Sequence, residues 1–163
     1  MATYERETRI RAPLERVWEF HSRVSGLETL TPAWMELRVE SVIGPDGERE
    51  PAVLDVGSEI TLSIRPGGVG PRQHWTSVIT EREREDGVAY FRDEMVDGPF
   101  DRWVHTHSFF ADGRETVCRD RVEYELPSLL GPLGERCPSV TGLGFEPMFR
   151  GRHAKAKAVL ERE

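Results

Sequence analysis

Three Asp-Gly pairs, Asp86-Gly87, Asp97-Gly98 and Asp112-Gly113, cut residues 73–126 into four segments. Asp-Gly between apolar runs is a strong hairpin signal, because glycine tolerates the positive φ that tight turns demand. The segments themselves, 73–84, 88–96, 101–110 and 116–126, are rich in β-branched and aromatic residues and read as strands. The middle of the chain is therefore committed to an antiparallel sheet. Upstream, residues 58–65 put Ile60, Leu62 and Ile64 on one face and Glu59, Thr61 and Ser63 on the other. Residues 35–40 alternate strictly and residues 3–11 loosely, which brings the count to about seven strands.

The rest is helical or irregular. Pro13 suits a first helical turn, and Leu14, Val17 and Trp18 recur at helical spacing, so residues 12–20 form a short amphipathic helix. Residues 22–30 form a second, stopped by Thr31-Pro32, since the residue before proline is pushed out of the helical region. Residues 128–145 are rich in Gly and Pro and are expected to be irregular. Glu146-Pro147 is read as the start of a long final helix running to about residue 162, with Met148, Phe149, Ala156, Val159 and Leu160 on its apolar face. The fold class is α+β: a curved antiparallel sheet of about seven strands around a long C-terminal helix, with two short helices after the first strand.

At 163 residues, without repeats or a linker, the chain reads as a single domain, 1–163. With 22 Lys+Arg against 29 Asp+Glu the formal charge is −7, which argues against nucleic acid or an anionic membrane as partner. No stretch approaches the roughly 20 apolar residues of a membrane helix. The first residues contain no apolar signal region, so a cytoplasmic location is expected. Cys118 and Cys137 are too few for a disulfide framework or a four-thiolate metal site.

Several residues within this order resemble the SRPBCC group, also called START-like or Bet v 1-like domains. They are Ala12-Pro13 followed by Val17-Trp18, the Leu30-Thr31-Pro32 corner, and Trp75 in mid-sheet. The strongest run is Gly98-Pro99-Phe100, Trp103, His105, His107 and Phe109, then Asp120, Tyr124 and Leu126-Pro127. Phe149-Arg150 and Arg152-His153 close it. The chain is similar to ligand-binding SRPBCC proteins related to polyketide cyclase/dehydrase sequences. The resemblance spans nearly the whole chain and implies a helix-grip fold with a hollow between sheet and last helix. Residues 131–144 are longer and more broken than the family pattern.

Alternate side chains of a strand share a face, so Trp103, His105, His107 and Phe109 point the same way, and the aromatics make that way inward. Neighbouring strands offer Ala89, Phe91, Asp93 and Met95, then Cys118, Asp120, Val122 and Tyr124. The result is an apolar wall carrying two imidazoles and two carboxylates, where an uncompensated polar group costs about 1–3 kcal/mol. His105 and His107 admit three readings: a structural network with Asp120 or Asp93, orientation of a ligand, or a metal site. The metal reading has least behind it. His-x-His puts two ligands on one side of a strand, but the next acid, Asp112, sits at a turn, and His153 belongs to the last helix. Gly67-Gly68-Val69-Gly70 lacks the ending and the following helix of a phosphate loop.

The expected function is binding of a small hydrophobic or amphipathic molecule in a cavity of a few hundred cubic ångströms, the usual size of such sites. The candidate ligand-binding residues are Trp75, Phe91, Trp103, His105, His107, Asp120, Tyr124 and Phe149. No catalytic residue, metal or cofactor is assigned. The expected partners are the small ligand and, at most, a second copy of the chain. Two alternatives stay open: a cyclase- or aromatase-like enzyme in which a cavity histidine moves a proton, and a protein-interaction module without a cavity ligand.

Overall fold

The hairpin signals resolve into one seven-stranded antiparallel sheet. The computed structural model describes residues 1–128 and 138–162, with side chains in the last helix described from residue 144 onward. The strands are β1 (Ala2–Ile10), β2 (Arg38–Ile43), β3 (Glu59–Ile64), β4 (Gln73–Glu85), β5 (Val88–Asp97), β6 (Arg102–Asp112) and β7 (Glu115–Glu125), in the spatial order β1-β7-β6-β5-β4-β3-β2. Helices α1 (Leu14–His21) and α2 (Val24–Leu30) follow β1, and α3 (Pro138–Leu160) closes the chain. Gly87 and Gly113 take φ of 77° and 61° at the β4–β5 and β6–β7 turns, as the Asp-Gly pairs require.

Two elements differ from the sequence reading. Residues 33–35 form a single 3-10 turn, so β2 begins at Arg38 rather than at residue 35. The last helix begins at Pro138, well before Glu146, and carries Pro147 inside it. Proline favours a helix start and disfavours a helix interior, but here packing holds the helix together on both sides of it. Phe145 lies against Tyr4, Trp103 and Tyr124, with ring centroids 5.8, 5.4 and 5.0 Å away. The segment expected to be irregular is thus helical from 138 onward. Residues 131–137, with Cys137, lie outside the described residues. Val159, expected on the buried face, is exposed, because Phe149, Ala156 and Leu160 recur at spacings of seven and four and leave it turned away.

One face of the sheet is buried beneath the helices. Phe91, Phe109 and Cys118 from the strands pack with Val17 and Trp18 of α1 and Ala156 and Leu160 of α3. A second cluster joins Val122 and Tyr124 of β7 to Phe149 of α3. The turn between α1 and α2 is tight. A Cβ on Gly26 would overlap the Phe20 carbonyl oxygen, so only glycine fits there. Lys155 Nζ donates to the Thr31 carbonyl at 2.9 Å, fixing α3 over the Thr31-Pro32 corner. At the other edge Tyr4 OH donates to Glu146 Oε2 at 2.7 Å and Arg6 pairs with the same carboxylate. Among the described residues, no helix is long and apolar enough to cross a membrane.

Candidate functional site

The two hairpins that share β6 set the site's register. Asp93 stands directly opposite His105 across β5 and β6, and His107 directly opposite Asp120 across β6 and β7. Directly paired side chains lie about 5 Å apart and diagonal ones about 7–8 Å, within reach of long side chains. Two imidazoles and two carboxylates from three neighbouring strands therefore converge on the buried face.

Each imidazole lies between the two acids. His105 Nε2 donates to Asp120 Oδ1 at 2.8 Å, and its Nδ1 is 3.8 Å from Asp93 Oδ2. His107 Nδ1 is 3.0 Å from Asp120 Oδ1, and its Nε2 is 3.3 Å from Asp93 Oδ2. The two imidazoles lie with centroids 3.7 Å apart, tilted by 38°, and Phe91 stacks on His107 at 4.1 Å. From α3, His153 Nε2 donates to Asp120 Oδ2 at 2.6 Å. Asp120 thus has both oxygens engaged by histidines.

Burial opposes the charge on Asp120, but hydrogen bonds from His105, His107 and His153 outweigh it and hold the carboxyl well below the usual range. Asp93 is also lowered: burial opposes its charge, and contacts with His107 and His105 prevail. The two histidines part company. Burial and the neighbouring His107 push His105 down. For His107, burial is outweighed by the hydrogen bonds of Asp120 and Asp93, and its affinity for a proton rises. Arg152, on α3, faces both acids, which partly offset the burial that lowers it.

This cluster forms one end of a cavity of about 120 Å³ between the sheet, α2 and α3. The remaining wall is mostly apolar, with Leu30, Met35 and Leu62 among its residues. Six of the eight candidate residues line it: Trp75, Phe91, Trp103, His105, His107 and Phe149. Asp120 and Tyr124 do not. Asp120 sits behind the imidazoles, and Tyr124 packs with Phe100 and Phe145. The volume falls short of the few hundred cubic ångströms expected, because the large side chains that mark the wall also occupy the space behind it.

Three further wall residues, His21, Asp93 and Arg152, lie outside the set of sequence candidates. His21 ends α1 and donates from Nδ1 to the Val17 carbonyl at 2.8 Å, while burial lowers its pKa to about 4. Reflection about the Asp97-Gly98-Pro99 turn would have paired Asp93 with His105. Nothing in the sequence signals that α3 lays Arg152 and His153 over the same spot.

The fold is shared with solved structures of low sequence identity. TTHA0849 from Thermus thermophilus is 23% identical, with 96% of this chain and 98% of that one covered and a TM-score of 0.61. Norcoclaurine synthase from Thalictrum flavum is 19% identical, with 99% and 87% covered and a TM-score of 0.66. Ara h 8.0201 is 13% identical, with 98% and 97% covered and a TM-score of 0.65. No curated protein matches the sequence. The model of a family described as polyketide cyclase/dehydrase and lipid transport matches residues 10–137. By that match the chain belongs to this family, and its fold is the Bet v 1-like one that these structures share.

Proposed function

We propose that the protein binds a small amphipathic molecule, of about the size of a single ring, with its polar end at the His105–His107–Arg152 side of the cavity. The observation that carries this reading is the asymmetry of the wall: aromatic and aliphatic over most of its extent, with charged groups gathered at one end. A few convergent polar groups in an apolar hollow fix a ligand's orientation while its apolar part supplies the affinity. The volume sets the size. An apolar cavity of about 150 Å³ accepts benzene, so about 120 Å³ suits one ring or a short branched chain. A structural neighbour, norcoclaurine synthase from Thalictrum flavum, has been solved in complex with dopamine and hydroxybenzaldehyde, each a single-ring compound.

Native mass spectrometry of freshly purified protein tests for a retained ligand, and titration with single-ring phenols and benzoates tests for uptake. Binding should quench the emission of Trp75 and Trp103, and Trp75→Ala should change the affinity. Failure of every such compound to perturb tryptophan emission or the melting temperature would remove the reading.

A further inference from the structure

We propose that Asp93, His105 and His107 bind a divalent first-row transition-metal ion, with Asp120 as the carboxylate that orients both imidazoles from behind. A donor atom from each of the three lies within 4.8 Å of the others. Bond lengths of about 2.1 Å and near-octahedral or tetrahedral angles put neighbouring donors about 3.0–3.4 Å apart. Asp93 Oδ2 is already 3.3 Å from His107 Nε2 and 3.8 Å from His105 Nδ1, so on the carboxylate side the donors stand at or within a few tenths of an ångström of that spacing.

Counting protons leads to the same place. The two rings make four nitrogen–carboxylate approaches, two to Asp120 and two to Asp93. Two neutral imidazoles bring only two N–H groups to those four. His105 hydrogen-bonds Asp120 through Nε2 at 2.8 Å; His107 hydrogen-bonds Asp93 through Nε2 at 3.3 Å and lies 3.0 Å from Asp120 through Nδ1, so a shift of its one proton to Nδ1 puts both protons on the Asp120 side. Two imidazole lone pairs then converge on the Asp93 carboxylate. That is a repulsive arrangement unless a positive charge stands among them, and two imidazoles with one carboxylate are a donor set for such an ion. Ring nitrogens that hydrogen-bond to a carboxylate on the far side are the usual support of metal-binding histidines.

The access is also right. Asp93, His105 and His107 are on the cavity wall, whereas Asp120 is not, so the ion's remaining coordination positions face the cavity. Charge then bears on the ligand. Asp93 and Asp120 against a divalent ion and Arg152 leave one positive charge, which an anionic oxygen such as a carboxylate or phenolate would neutralise. The metal site shares its cavity with the ligand proposed above but does not depend on it.

The test begins with chelator-treated wild-type protein titrated with Co²⁺. One equivalent should bind, producing visible d–d bands and a raised melting temperature. Asp93→Asn should weaken uptake by 100-fold or more. Asp120→Asn, which leaves all three donors in place, should weaken it about 10- to 100-fold. His74→Ala, on the exposed part of β4, should change nothing. X-ray absorption of the wild-type Co²⁺ protein should show two imidazoles, and this measurement stands even if a variant does not fold. Absence of Co²⁺ and Zn²⁺ uptake by wild type would overturn the proposal and leave a proton as the cluster's positive charge. So would uptake unaffected by Asp93→Asn, or a bound ion without imidazole ligands. Metal uptake without any organic ligand would support this site and sink only the ligand reading, and the converse would do the opposite.

Discussion

His153 of α3 donates from Nε2 to Asp120 Oδ2 at 2.6 Å, fastening the last helix to β7 through a buried carboxylate. His153→Ala should remove one donor from an anion that cannot reach water. Hydrogen bonds to charged groups contribute about 1.5–3 kcal/mol, so the urea midpoint should fall accordingly with an unchanged slope. A midpoint equal to wild type would mean that the contact adds nothing to stability.

Phe149 is 1% exposed, stacks on Tyr4 at 5.2 Å and meets His105 edge-on at 5.3 Å. It is both a core residue and part of the cavity wall. Phe149→Ala should therefore cost about 3–5 kcal/mol and also enlarge the cavity, so that a bulkier apolar probe enters the variant. Equilibrium unfolding and probe titration on the same preparation check both halves.

Gly26 reverses a familiar rule. Replacing a helical glycine with alanine ordinarily gains up to about 1 kcal/mol. Here the new Cβ would overlap the Phe20 carbonyl oxygen, and the α1–α2 turn would have to open. Gly26→Ala should lose about 1–3 kcal/mol, as overpacking does. A gain in thermal stability would show that the turn yields freely.

His21 gives stability a pH dependence of definite sign. Burial lowers it from 6.5 to about 4, so below pH 6.5 the unfolded chain takes up a proton that the folded chain refuses. Its contribution is whole above about pH 6.5 and is lost as the pH falls toward 4. His107 and Arg152 disfavour its protonation and Asp120 favours it. Urea midpoints measured from pH 7 to pH 4 should fall less steeply in His21→Gln than in wild type. Parallel curves would contradict a desolvated, neutral imidazole at this position.

Cys118 lies on the same face of β7 as Asp120, and burial together with that negative charge pushes its thiol pKa up. Iodoacetamide at pH 8 should leave Cys118 unmodified in native protein and alkylate it in urea. Peptide mapping reads both outcomes directly.

The hairpins, the inward row Trp103, His105, His107 and Phe109, and the five cavity candidates on strands follow from period-two alternation and from turn dipeptides, and Phe149 from the helical spacing of the last segment. Those are local signals, and the sheet obeys them. The start of α3 is hidden because Pro147 outweighs every other local signal nearby, whereas Phe145 packs into an aromatic cluster assembled from β1, β6 and β7. Asp93 is visible in the sequence as a network partner, but its place directly opposite His105 depends on pairing across a turn. Arg152 and His153 reach the site through the path of a helix over a sheet, and no spacing within either element encodes that path.

The pairing of β1 with β7 sets Ala2 opposite Tyr124 and Ile10 opposite Thr116, so the first strand takes as its neighbour the last one to be made. During synthesis β1 lacks this partner until β7 has left the ribosome, so its hydrogen-bonding edge stays open while the five intervening strands are made. Such distant pairings close large loops before any contact rewards them, which slows folding and favours a concerted transition over piecewise assembly. An unpaired strand edge is prone to aggregation until its partner arrives, so the lifetime of that open edge matters alongside the stability of the finished fold.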